Sequence, residues 1–248
     1  MNSPKILSIS IIFIVSILES RAAKILVIVP HFGKSHFVIF EPYLEELANR
    51  GHELLVLSYF ARKQSIPNYK DIDLMGTFIF NETVDVISLK ERPTFRQITS
   101  NIRLGEWGAQ ACENTLKHPP VQELLKSDQK FDLLITETFN TDCFLAFAHK
   151  FKIPSIALST CVFMPWSPDR IGNPDNPSYI PIEYSASSDR MDFVERLTNT
   201  FFYVVHKILA KYTMDAKAHK IASKYFGDNL PSMPELARNT TSDNRSKS

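Results

Sequence analysis

Apolar residues along the first third of the chain fall in an unbroken run, then at spacings of three and four, then in a run again. "KILVIVP" (24–30) is a near-continuous β-prone run ended by a proline, which suits a strand buried on both faces of a parallel sheet. After the loop "HFGKSH", apolar Phe37, Phe40, Tyr43, Leu44, Leu47 and Ala48 predict a helix to Asn49, with Pro42 tolerable only near its start. "NRGHE" then places Gly51 just past the helix, and "LLVLSYF" reads as a second strand. The unit is a βαβ crossover, expected to be right-handed.

Farther on, "GTFIF" and "VDVISL" are short β-like runs, and a mostly helical stretch extends from about Phe95 to Lys126. "KFDLLITETF" and "IPSIALST" read as two more strands around the helix-like "CFLAFAHKFK". Strands alternating with helices predict an α/β fold, a Rossmann-like open parallel sheet. After Cys161, "VFMPWSPDRIGNPDNPSYIPIEYSASSDR" reads as a long irregular loop, the kind that often walls a binding site. Helical pattern resumes from Met191 to about Phe226, and the polar "ARNTTSDNRSKS" is expected to be disordered.

At the other end, "MNSPKILSISIIFIVSILESRAA" has one early lysine, an apolar run from Ile6 to Leu18 and small residues after it. That run is too short to span a bilayer and matches a secretory signal peptide, with Ser20 and Ala22 near the cleavage point. The expected organisation is therefore a signal peptide at 1–22, one Rossmann-like domain at 23–238 and a tail at 239–248. A secretory route makes Asn81, Asn239 and Asn244, each opening an N-x-[ST] triplet, candidate glycosylation sites.

Composition removes several function classes. With 28 basic and 27 acidic residues the net charge is +1, which gives no electrostatic footprint for nucleic acid. Cys112, Cys143 and Cys161 show no CxxC pair and no metal-ligand spacing, so at most one bridge is expected and no metal. Small buried hydrophobes are the favoured reading for at least two of them. The seven glycines nowhere make GxGxxG, and GxxxxGK[ST], HExxH and GxSxG are absent too.

Chemistry then concentrates on the loop after the first strand, because open α/β sheets bind ligands at the carboxyl ends of their strands. Gly33 lets the backbone turn there, and Ser35 is the natural helix N-cap. His36 lies at the helix entrance, where the positive end of the dipole favours an uncharged ring able to act as a base. His31, directly after Pro30, is the alternative. "LLITETFNTDCF" offers Glu137 and Asp142 as carboxylates to orient an imidazole from the same sheet edge. Asp142 is also a fair N-cap for the following helix.

The stretches "PHFGKSHFVIFEPYLEELANRGHELLVLS", "FDLLITETFNTDCFLAFAHKFKIPSIALSTC" and "NPSYIP" resemble the amino-terminal half of the membrane-bound UDP-glycosyltransferases. Insect members of the UDP-glucuronosyltransferase family are the most similar, from about Lys24 to Thr241. The resemblance implies the amino-terminal, acceptor-binding domain of a GT-B glycosyltransferase, with UDP-glucose or UDP-glucuronate as co-substrate held by a second domain and no bound cofactor. It places the catalytic base on His36. The partnering carboxylate falls on Glu137 when counted from "FD", and on Asp142 when counted from the acid before Cys-Phe-Leu. Asp142 is preferred, because a shorter carboxylate after the turn can reach back, and Glu137 stays open.

Around this pair, His31, Phe32 and Gly33 are candidate acceptor contacts, with Phe163, Trp166 and Tyr179 of the Pro-rich segment as the aromatic wall. The family's donor-binding half and carboxyl-terminal membrane anchor are expected beyond residue 241 and do not appear in this sequence. Two functions follow: the acceptor half of a transferase acting on small lipophilic alcohols or phenols in the endoplasmic reticulum lumen, or a non-catalytic lumenal domain that binds lipophilic ligands or associates with full-length transferases. "TFFYVVHKILAKY" (200–212) is a candidate for contact with a membrane surface, against core packing as the alternative.

Overall fold

Parallel strands buried on both faces need helices on both sides, and the chain supplies them. The computed structural model describes residues 22–78, 95–183, 185 and 187–238. Five strands, β1 (Lys24–Val29), β2 (Glu53–Ser58), β3 (Tyr69–Asp73), β4 (Leu133–Glu137) and β5 (Ser155–Leu158), form one sheet in the order β3-β2-β1-β4-β5. Every neighbouring pair is parallel. This is the expected Rossmann-like α/β arrangement.

Side-chain alternation on β1 divides the core. Ile25, Val27 and Val29 pack with Phe37, Phe40, Leu44 and Ala48 of helix α1 (Lys34–Asn49). Leu26 and Ile28 face the other way, into a cluster with Cys112 and Leu116 of α2 (Phe95–Lys117), Leu124 of α3 (Pro119–Lys126) and Phe147 of α4 (Leu145–Phe151). The same cluster takes in Ile221 of α7 (Ala216–Phe226) and Met233 of α8 (Met233–Arg238). The Pro-rich segment contains a short helix, α5 (Ser167–Ile171), and leads into α6 (Phe193–Ala210).

Several elements depart from the sequence expectation. Helix α1 runs straight through Pro42. The third strand is "YKDID" rather than "GTFIF" or "VDVISL": Gly76 lies in a turn, and residues 79–94 are outside the described residues. An edge strand needs no continuous apolar face, and of β3 only Tyr69 is buried. The helical stretch from Met191 to Phe226 contains a π-turn at Lys211–Asp215, joining α6 to α7. Helix α8 was not anticipated, although the S-x-x-E spacing of Ser232 and Glu235 is a helix-start signal, and the Ser232 backbone N–H and hydroxyl both donate to the Glu235 carboxylate. Cys112 and Cys143 are not independent buried thiols but a disulfide, with Cα atoms 6.0 Å apart. Residues 1–21, Asn81, Asn239 and Asn244 lie outside the described residues, as does the tail from 239.

Besides the hydrogen bond from the Asn140 side chain to the Leu104 carbonyl, two contacts fix the turn after β4 against α2. The disulfide is one. The other is Gly108, where a Cβ would stand 2.2 Å from the carbonyl oxygen of Asn140. Helix and turn therefore meet backbone to backbone.

Candidate active site

From β1 the chain runs outward to β2 and β3, then returns to the other side of β1 with β4 and β5. The connections at the carboxyl ends of β1 and β4 therefore diverge, leaving the crevice where open sheets bind ligands. His36 enters it from the first turn of α1, and Glu137 from the last residue of β4. Their side chains meet, His36 Nδ1 to Glu137 Oε1 at 2.5 Å, with 15% and 4% of those side chains exposed. Thr160, two residues beyond β5, donates its hydroxyl to the same Glu137 oxygen at 2.5 Å and lies 2.8 Å from His36 Nδ1.

This geometry decides what the imidazole can do. An ionised carboxylate only accepts hydrogen bonds, so the His36 proton resides on Nδ1, pointed at Glu137. Nε2 then keeps its lone pair, and the ring is oriented to take a proton there and to hold the resulting charge against Glu137.

Asp142, the preferred partner from sequence, is elsewhere. Its Oδ2 accepts from Arg170 Nε at 2.6 Å, and Arg170 also donates to Asp215 at 2.5 Å. Burial pushes the Asp215 carboxyl up to about 6, against the pull of Arg170. The reason for the swap is the turn after β4. Glu137 ends a strand adjacent to β1, whereas by Asp142 the chain has reversed and the side chain faces α5. Asp142 does not cap α4 with its side chain; its backbone carbonyl accepts from Leu145 instead.

His31 stacks on His36 with ring centroids 3.7 Å apart, and its Nδ1 accepts from the Gly33 N–H at 3.0 Å. Gly33 is not needed for its backbone angles, φ −77 and ψ 118, which any residue adopts. It is needed for space, because a Cβ would stand 2.8 Å from His31 Cε1. Gly33 rather than Ser35 is the N-cap residue of α1, and no side chain caps that helix.

Burial, reinforced by neighbouring His36, lowers the His31 pKa to about 4. In the unfolded chain the same ring takes a proton near 6.5. Between those values acid stabilises only the unfolded state, so His31 alone is expected to remove up to about 3 kcal/mol of stability as the pH falls from 6.5 to 4. Urea unfolding of wild type and His31→Gln at pH 7 and pH 4.5 measures this. The variant should lose less stability than wild type on acidification, and an equal loss contradicts the assignment.

The aromatic surroundings differ from those inferred from sequence. Phe139 lies 4.7 Å from the His36 ring and 5.3 Å from His31. Phe32 stacks on Phe78 at 5.2 Å and meets Trp107 of α2 edge-on at 5.9 Å. Trp166 is 6% exposed and packs with Phe139, Met164, Ala210 and Met214, its ring N–H donating to the Phe139 carbonyl. It also borders a separate cleft of about 570 Å³ lined by Arg170, Lys207, Lys211 and Asp215. Phe163 and Tyr179 are exposed. Phe78, Trp107, Phe139 and Thr160 were missed from sequence. Only Thr160 carried a signal, standing just beyond the end of a strand at the edge that holds Glu137.

Comparison with known proteins gives a consistent picture. The sequence model of a family described as UDP-glucoronosyl and UDP-glucosyl transferase matches residues 23–241. A UDP-glycosyltransferase, UGT5, of Dactylopius coccus is 39% identical over 225 residues, covering 88% of this chain and 42% of its own length. UDP-glucosyltransferase 2 of the same organism is 32% identical over 237 residues, 93% of this chain and 44% of its own length. A 2-hydroxyacylsphingosine 1-beta-galactosyltransferase of Mus musculus is 28% identical over 213 residues, 83% and 38% of the two lengths. The chain thus spans less than half the length of these relatives, and aligns with their amino-terminal half.

Proposed function

Because the chain belongs to the UDP-glucoronosyl and UDP-glucosyl transferase family, we propose that it is the acceptor-binding half of an inverting transferase, with His36 and Glu137 as its proton-handling pair. The observation that carries this reading is the 2.5 Å contact between His36 Nδ1 and Glu137 Oε1 at the crevice between β1 and β4. A small lipophilic alcohol or phenol presents its hydroxyl to His36 Nε2, with its apolar body against Phe139, Phe32 and Trp107. As the hydroxyl oxygen bonds to the anomeric carbon of a UDP-hexose, its proton passes to Nε2, the bond to the diphosphate breaks and the configuration inverts. Glu137 stabilises the imidazolium so formed. Phe163 and Tyr179 remain proposed outer contacts for the acceptor. The proposed setting is the lumenal side of the secretory pathway; among the described residues no helix is long and apolar enough to cross a membrane.

Thr160 supports the same carboxylate oxygen that His36 contacts. Its hydroxyl donates to Glu137, so the carboxylate is fixed from two directions. Removing one hydrogen bond to a charged group costs about 1.5–3 kcal/mol when nothing replaces it. Thr160→Val is therefore expected to lower turnover roughly tenfold or more, with Thr160→Ser close to wild type. Equal turnover of Thr160→Val and wild type contradicts that role.

The direct test is the chain joined to the remaining half of a relative and supplied with UDP-glucose or UDP-glucuronate and a panel of phenols and aliphatic alcohols. A glycoside of inverted configuration supports the proposal. Saturable binding of the same phenols without glycoside formation favours a ligand-binding lumenal domain instead.

A further inference from the structure

Helix α6 buries Asn199, Phe202, Tyr203, His206 and Ala210 on one side. The opposite side is apolar as well. Phe193, Leu197, Phe201, Val204 and Ile208, continued by Tyr212 at the start of the π-turn, recur at spacings of four, four, three, four and four, and each is between 48% and 79% exposed. Single exposed apolar residues need no explanation, but a continuous stripe along some 27 Å of helix does. Core packing, the alternative reading of this segment, accounts for the first side only.

We propose that this stripe lies in the plane of a lipid surface, its apolar side chains between the headgroups and the acyl chains. The charges along its borders select this occupant. Arg196, Thr200, Lys207 and Lys211 form one edge of the stripe at helical spacing, and Thr198, Val205 and Leu209 the other, so the helix carries cations on one border and no charge on the second. Lys207 is held by Asp169 and Asp175, whereas Arg196 and Lys211 are exposed and have no carboxylate partner among the described ion pairs: Arg196 donates its Nε to the Met191 carbonyl at 2.8 Å and Lys211 lies over the Tyr212 ring, which leaves their charge to lipid phosphates. The acids at the helix start, Asp192 and Glu195, are engaged with each other's backbone N–H groups in a capping box. Aromatic residues mark both ends of the stripe, Phe193 and Tyr212. A second copy fits less well, because antiparallel twofold pairing sets the cationic border against its own copy.

The inference does not depend on the catalytic reading, and its test needs no turnover. Phe201→Trp places a fluorophore mid-stripe, and Tyr43→Trp places one on α1, also exposed. Each is compared with wild type, whose Trp107 and Trp166 supply the background, on adding phosphatidylcholine vesicles with and without acyl-chain bromination. The expected result is a blue shift and bromine quenching for Phe201→Trp and neither for Tyr43→Trp, with quenching reduced at least severalfold by the further change Val204→Asp. A vesicle-bound Phe201→Trp chain that is not quenched overturns the proposal. So does a blue shift without lipid in a chain that sediments as a dimer, which assigns the stripe to a second copy.

Discussion

Turnover of the chain joined to a relative's remaining half is expected to fall by roughly 100-fold to 10,000-fold on His36→Ala, the range for losing a positioned general base. Glu137→Gln should cost about as much for a different reason. A glutamine carries no charge to stabilise the imidazolium as it forms, and when its NH2 rather than its carbonyl faces Nδ1 it holds the His36 proton on Nε2, where the acceptor's proton must go. Asp142→Asn separates the candidates. It weakens the buried Asp142–Arg170–Asp215 group and is expected to lower stability, while turnover per folded molecule stays within a few-fold of wild type. Acceptor affinity should change little in His36→Ala, so the loss belongs in kcat. Turnover from His36→Ala equal to wild type refutes the pair as catalyst.

Gly108→Ala is expected to destabilise the fold by about 3 kcal/mol or more, a large effect for one added methyl. The new carbon would stand 2.2 Å from the Asn140 carbonyl oxygen and 3.1 Å from Thr141 Cβ. The close neighbours are backbone, which cannot swing aside as a side-chain end can, and the disulfide between Cys112 and Cys143 pins α2 to the same turn. Strain would pass into the segment between Glu137 and Asp142, so the proposed site should loosen with the fold. Urea denaturation measures the first effect. A variant as stable as wild type shows that α2 and the turn are not in the close contact described.

The sheet was legible because its central strands β1, β2 and β4 are buried on two faces and therefore spell themselves out as apolar runs; β5, at one edge and only partly buried, was read from its short run "SIAL". β3 was not, since an edge strand with Lys70, Asp71 and Asp73 has no such signature. The π-turn escaped as well, because its cause is tertiary: it stands beside Gly105, whose missing side chain leaves room for Met214, and it brings Asp215 to Arg170. Sequence singled out His36 from its place between a strand end and a helix start. It preferred Asp142 over Glu137 as the carboxylate in contact with that ring because sequence gives the distance along the chain from β4 to Asp142 but not the reversal between them. Glu137, five residues nearer the strand, needs no reversal to face His36.

The measurement that bears most directly on the account is the imidazole proton–nitrogen spectrum of the chain itself, which needs neither donor half nor substrate. A proton held between His36 Nδ1 and Glu137 should appear far downfield and exchange slowly with water. The account predicts that this resonance disappears in His36→Ala and Glu137→Gln and persists in Asp142→Asn. Its persistence in Glu137→Gln together with its loss in Asp142→Asn would contradict the His36–Glu137 pair.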